Sequence, residues 1–298
     1  MATHVVQQVQ QYLEEHGDDV NGLAVEAAAA RLKRTLIYQF STNRSLRDPA
    51  ELKLYPSEAG KCIRQIAYKA AGIPGEPMSA DVTFRLAMGD MVELVLVYLI
   101  TVAPGLTLVD NNMVREIRIG PRKWRGATDG ILVQGAERRN LEVKSTSGIG
   151  FKMTMSRGVD DTFGYLTQAS VYMRQLLEDG VINVPETVFV YVDRDSLKLY
   201  EVVVRYEEAL AKAADEKFED VIRHLEAKKL PQRPYTLNAD GSLGLNCSYC
   251  SHKHTCWTSP RQVVTFHGMR PVYRETPTER LDLRMAGKKP VWVLCQMP

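Results

Sequence analysis

The sequence predicts an α/β fold, a sheet core flanked by helices behind a helical N-terminal region, and three observations predict it. Segments of strand character alternate with helical ones in the order helix, three strands, helix, two strands, helix. The 298 residues are 45% hydrophobic and 25% charged, enough for one large domain or two smaller ones with a proper core. Four of the five cysteines, Cys62, Cys247, Cys250 and Cys256, bracket the strands, so that a soft metal could clasp the two ends of the core together.

The N-terminal region divides into helical stretches over 5–15 and 23–40, separated by the turn formers Gly17, Asp18, Asp19, Asn21 and Gly22. A helix over 57–71 carries Cys62, Arg64 and Tyr68 and ends at the breaker Gly72-Ile73-Pro74-Gly75. The next starts near Asp81, a good N-cap, and runs to about Thr101. Strands are expected over 107–119, 127–133 and 140–145, reading as an antiparallel sheet. A helix follows over 161–178, then a hairpin of 187–192 and 197–204, then an amphipathic helix over 207–229 that breaks at Pro231. The segment 232–260 is loop-rich and holds the cysteine triplet, and 261–298 is a mixed tail with no assigned structure.

Charge says little about partners, because 38 basic residues face 36 acidic ones for a net +2. Any nucleic-acid surface must come from local segregation of charge. Five cysteines without a signal peptide point to a reducing, cytoplasmic setting in which thiolates hold metal. The apolar run 91–103 is short for a membrane span and contains Glu93, so it reads as a buried helix and no membrane is implied.

The chemistry lies in Leu141-Glu142-Val143-Lys144. Strand alternation sends Leu141 and Val143 to one face and Glu142 and Lys144 to the other. If Val133 pairs with Asn140, Asp129 falls opposite Lys144, and Asp129, Glu142 and Lys144 converge on one patch. Two close carboxylates repel unless a proton or cation lies between them, and oxygen ligands suit Mg or Mn. Such an ion can orient a phosphodiester and acidify a bound water, while Lys144 positions or deprotonates that water. The alternative is an ordinary cross-strand ion pair. Glu93, the lone charge of its apolar run, needs a partner: a shared metal, or a salt bridge to Arg85 or another basic residue. Gln168 and Tyr172, spaced i, i+4 on the following helix, reach one surface, although Tyr172 also suits a core position.

Four thiolates suit a 4Fe-4S cluster or a structural zinc, and spacing alone does not choose. Cys247, Cys250 and Cys256 with His252 or His254 form a rival local zinc site that leaves Cys62 as a buried thiol. Closing so long a loop would be worth about 5 kcal/mol by analogy with a disulfide. Cys295 is left over as a packed thiol.

Taken together, Gly89-x3-Glu93, Gly126-x2-Asp129, Glu142-x-Lys144 and Gln168-x3-Tyr172 resemble, in order and spacing, the motifs of RecB-like nucleases of the PD-(D/E)XK superfamily. One cysteine before the core and Cys-x2-Cys-x5-Cys after it resemble the iron-sulfur subgroup, which includes the CRISPR-associated RecB-like exonucleases. The resemblance spans about residues 55–258. It implies a restriction-endonuclease-like mixed sheet over 55–235 and an iron-sulfur clasp over 236–260 joined by Cys62, which leaves the helical region over 1–54 and the tail over 261–298 outside it. It further implies that Glu93, Asp129 and Glu142 bind Mg or Mn, that Lys144 serves the attacking water, and that Gln168 and Tyr172 support the site and the DNA. Two departures stand out: the family often has histidine where Glu93 stands, and Thr128 replaces a proline before Asp129.

The expected activity is a metal-dependent DNA exonuclease acting on single-stranded ends in DNA processing, recombination or CRISPR adaptation. A non-catalytic DNA-binding scaffold and a zinc-stabilised endonuclease on structured DNA are the rivals. A homo-oligomer is compatible with the sequence. Arg64 and Tyr68 are candidate DNA contacts, and Arg31, Lys33, Arg34, Arg44, Arg47 and Lys53 make the N-terminal region basic, with a solvated helix face as the ordinary explanation.

Overall fold

The computed structural model describes residues 4–15, 21–40, 54–77, 79–265, 268–275, 280–286 and 289–295. Helices α1 (Val5–Glu15), α2 (Gly22–Phe40), α3 (Ile63–Ala70) and α4 (Ala80–Val102) come first. Strands β1 (Thr107–Val109), β2 (Val114–Ile119), β3 (Arg122–Ala127), β4 (Gly130–Gln134) and β5 (Glu137–Thr146) follow, then helices α5 (Gly148–Arg157) and α6 (Tyr165–Glu178). Strands β6 (Glu186–Asp193) and β7 (Leu199–Arg205) lead to α7 (Glu208–Glu226) and the short α8 (Leu245–Ser248) and α9 (Lys253–Cys256). The C-terminal region, unassigned from sequence, contains two antiparallel hairpins, β8 (Trp257–Thr265) with β9 (Gly268–Glu275) and β10 (Arg280–Ala286) with β11 (Lys289–Cys295).

The central sheet is mixed, in the order β1-β4-β5-β6-β7, with β5 and β6 parallel and the other neighbours antiparallel. Parallel pairing requires a crossover between β5 and β6, and α5 and α6 supply it. Alternation on β6 sends Val188, Val190 and Val192 to one face and Phe189 and Tyr191 to the other, so that each face carries its own core. Val188 and Val190 join Leu141 and Val143 of β5 beneath α1 and α4, against Val5, Val9, Leu96, Val97 and Ile100. Phe189 and Tyr191 join Ile131 beneath α6 and α7, against Met173, Leu176, Phe218 and Val221. Helix α1 is therefore part of the core, and its Val6 N–H donates to Glu201 of β7 at 3.2 Å.

Several expected bounds shift for local reasons. The run 107–119 is two strands in different sheets, broken where Asp110 and Asn112 adopt left-handed φ of 54° and 53°. β2 pairs with β3, a strand not anticipated, as a separate hairpin that packs on α6 and α7 through Trp124 and Phe218. The expected helix over 57–71 is a 3-10 turn at Pro56–Glu58 followed by α3, with Cys62 at the helix N-cap. α4 is capped by Ser79, not Asp81, the Ser79 hydroxyl accepting from the Val82 N–H at 3.4 Å. α5, unforeseen because Gly148 and Gly150 sit in its first turn, is capped by Ser147. No helix among the described residues is long and apolar enough to cross a membrane.

Candidate active site

The register between β4 and β5 decides which acids meet. Gly130 pairs with Leu141 and Gln134 with Glu137, around a two-residue turn in which Gly135 takes a φ of 60°. Glycine at the first central position of so tight a turn carries the positive φ without strain. Val133 consequently pairs with Arg138 and not with Asn140, a shift of two residues from the expected register. Because the shift is even, no side chain changes face, but Asp129, just before β4, now falls opposite Glu142 instead of Lys144.

Asp129, Glu142 and Lys144 form one patch. The Asp129 Oδ2 accepts the Val143 N–H at 2.7 Å, and the Lys144 Nζ donates to Glu142 Oε2 at 2.7 Å. Glu142 is only 2% exposed. Gln168 of α6 donates to the other Glu142 oxygen at 3.4 Å. Burial, then the Glu142 and Glu93 carboxylates, hold Asp129 well above the usual carboxylate range. Burial works to lower Lys144, but Glu142 and Asp129 outweigh it and push the ammonium above its ordinary value. The ammonium also lies 5.1 Å from the ring centre of Tyr165, a contact with no signal in the sequence.

Tyr172 is 2% exposed, its phenol hydrogen-bonded to the Ala127 backbone immediately before Thr128-Asp129. Burial and the nearby Glu142 and Asp129 raise its pKa, so it remains a phenol. Gly126 makes room for it: a Cβ there would lie 2.6 Å from the Tyr172 hydroxyl. Tyr172 thus supports the segment that presents Asp129 and is not exposed for a base to stack upon.

Glu93 enters from α4, which approaches the end of β5 closely because Gly89 is small; a Cβ there would lie 3.2 Å from Ser145 Oγ. The Glu93 carboxylate is ion-paired with Arg31 of α2 and lies within electrostatic reach of Lys144 and Glu142. Burial raises its pKa and Arg31 opposes the rise. The expected salt bridge exists, with Arg31 rather than Arg85 as the partner. Arg31, read from sequence as part of a solvated face, is 19% exposed and also donates to Asn111 at 3.3 Å. Arg44, Arg47 and Lys53 lie outside the described residues.

Arg64 and Tyr68, expected at the DNA, are buried instead, 6% and 1% exposed. Arg64 donates to the Tyr68 hydroxyl and to the Pro231 carbonyl, each at 3.0 Å, tying α3 to the chain after α7. The i, i+4 spacing that seemed to aim both at a ligand aims them at each other.

The four cysteines converge. Cys62, Cys247, Cys250 and Cys256 line one small cavity of about 20 Å³, together with Tyr235 and Trp257. Burial raises the Cys62 and Cys247 thiols and pushes Cys250 up to about 11. Neither rival histidine lines this cavity. His252 is buried and stacked on Tyr68 at 5.2 Å, and His254 stacks on Tyr273 at 5.4 Å, with its backbone N–H donating to Glu76 at 2.8 Å. Cys295 ends β11, opposite Arg280.

Among the described residues, no group of three or more His, Cys, Asp or Glu side chains stands ready in a metal-holding arrangement. At the acidic patch each carboxylate is instead engaged by a protein donor: Asp129 by Val143, Glu142 by Lys144 and Gln168, Glu93 by Arg31.

No protein-family model matches the chain, and no curated protein matches it. Among solved structures it is similar to SSO0001, with a TM-score of 0.45 and 18% identity, covering 77% of this chain and 96% of that one. It is also similar to LHK-Exo, an alkaline exonuclease from Laribacter hongkongensis, with a TM-score of 0.42 and 15% identity over 59% of this chain and 88% of that one. The complex of LHK-Exo with dAMP gives a TM-score of 0.41 and 16% identity over the same shares. The functional reading therefore rests on the side chains described above.

Proposed function

We propose that the chain is a divalent-metal-dependent deoxyribonuclease that hydrolyses phosphodiester bonds from single-stranded ends, in DNA processing, recombination or CRISPR adaptation. The observation that carries this reading is the convergence of Asp129, held just before β4 by the Val143 N–H, with Glu142 and Lys144 of β5 on one patch. Two such acids side by side are costly without a cation, and their hard oxygens fit Mg or Mn. When bound, the ion supplies an acidified water and neutralises charge on the phosphate.

The chain's own groups then divide the work. Asp129 and Glu142 would hold the ion, and Glu93 would join them if released from Arg31. Lys144, held protonated in the metal-free chain by Glu142 and Asp129, would position the attacking water, or deprotonate it once a bound ion offsets those carboxylates. Gln168 holds the Glu142 carboxylate in place, and Tyr172 buttresses the backbone leading to Asp129.

The four cysteines around one cavity favour a site that includes Cys62 over the local zinc site with His252 or His254, and their soft donors fit a 4Fe-4S cluster or zinc. The group would be structural, and with the raised thiols its binding would release protons. The resemblance of the cysteine spacing to the iron-sulfur subgroup supports the cluster.

The test is a comparison of linear and circular single-stranded DNA of equal length with Mg or Mn. The proposal expects degradation of the linear strand and little of the circle. Equal rates would mean endonuclease action, and no turnover of either with any divalent metal would favour the non-catalytic scaffold.

A further inference from the structure

A cleft of about 600 Å³ runs along the exposed side of α4 to the turn between β6 and β7. Its lining is unusual for a solvent face. Phe84, Met88 and Leu197 are large and apolar, with Phe84 63% and Leu197 71% exposed, and they alternate with the guanidinium groups of Arg85 and Arg194. Asp81 is the one carboxylate in the lining, so the cleft carries a surplus of positive charge. Apolar surface left in water beside cations marks a surface that meets a partner.

The cleft lies along the same helix, α4, that carries Glu93. Arg85 lines it, and Glu93 stands two turns further along the same stripe of α4, past Gly89. Arg194 donates to the Ser145 carbonyl at 3.4 Å, and Ser145 follows Lys144 on β5. A ligand lying along α4 past Arg85 and Arg194 is thereby directed toward Glu93 and the end of β5 that carries Lys144.

We infer that this cleft is the track on which the unpaired DNA strand approaches the site, with Phe84 stacking a base and Arg85 and Arg194 meeting phosphates. The inference rests on the nuclease reading and names the substrate-binding surface for it. An exposed aromatic ring accepts any base, and guanidinium groups at its flanks match a chain that carries one anion per nucleotide. At about 600 Å³ the cleft is of the size that holds a small ligand. It also supplies the aromatic contact that the buried Tyr68 and Tyr172 cannot.

The experiment measures anisotropy of fluorescein-labelled oligothymidylate on the full chain in a Lys144→Ala background, which spares the probe. Phe84→Ala is expected to weaken binding about tenfold. Arg85→Ala and Arg194→Ala are each expected to lower the slope of log affinity against log salt by about 0.7. In the otherwise native chain, Phe84→Ala and Arg85→Ala should raise KM for an oligonucleotide far more than for bis(p-nitrophenyl) phosphate, which is too small to span the cleft and the site. Unchanged affinity and salt slope in all three variants, or no oligonucleotide binding at all, would overturn the track. Weakened binding by these variants of a chain that cleaves neither substrate would uphold the track and sink the nuclease reading instead.

Discussion

The Asp129 carboxylate accepts the backbone N–H of Val143 at 2.7 Å, and this bond locks the acid beside Glu142 on the neighbouring residue of β5. A side chain used in this way is oriented before any ligand arrives, which is what a metal site or a catalytic patch requires. The cost appears in its titration. With burial and two acids nearby, Asp129 resists ionising in the folded chain.

That cost predicts the stability of the metal-free chain. A carboxylate with a raised folded pKa contributes stability that is fully present below its unfolded value, about 4, and is lost as pH rises through the folded one. Asp129→Asn keeps the acceptor for Val143 and removes the ionisation. In chelator at neutral pH it should therefore raise Tm, by about 2–4 °C for each kcal/mol of repulsion relieved, while abolishing cleavage. A lower Tm for Asp129→Asn would mean that the carboxylate is not under strain from its neighbours.

The pair between Arg31 and Glu93 sets Arg31 in competition with a metal. Arg31→Ala should lower the Mg concentration for half-maximal activity by about fivefold, the worth of a partly exposed ion pair. Glu93→Ala should raise that concentration. Identical Mg titrations for both variants and the parent would reassign Glu93 to a purely structural salt bridge.

The clasp is read from bound metal. Cys62→Ser should lower metal content per chain and destabilise the fold, whereas His252→Ala should leave the metal in place. Visible absorption of the anaerobically purified protein separates an iron-sulfur cluster from zinc. Full metal content in Cys62→Ser together with its loss in His252→Ala would establish the local zinc site.

Much of this was legible in the sequence because strand alternation is a strict period of two. It places Glu142 and Lys144 on one face without knowledge of the register, and the error of two residues at Val133 left both there. The register itself turned on whether Gly135-Ala136 forms the whole turn, a choice that hydrophobic pattern does not make. The separate β2–β3 hairpin was hidden in the run 107–119, although Asp110-Asn111-Asn112 carried a turn signal. Tertiary packing hid the rest. Arg31 lies far from Glu93 in the chain, and Arg64 with Tyr68 shows that helical spacing reveals which residues meet but not whether they meet in the core or in solvent.

The central claim is that Asp129, Glu142 and Lys144 together hydrolyse phosphodiesters, and Lys144→Ala tests it most directly, since the variant removes the ammonium and spares both acids. With Mg or Mn and an end-labelled single-stranded oligonucleotide, the parent should shorten the strand, and Lys144→Ala should do so about 10²–10⁴-fold more slowly with affinity largely retained. Cleavage by Lys144→Ala at the parent's rate would contradict the assignment of this patch as the active site.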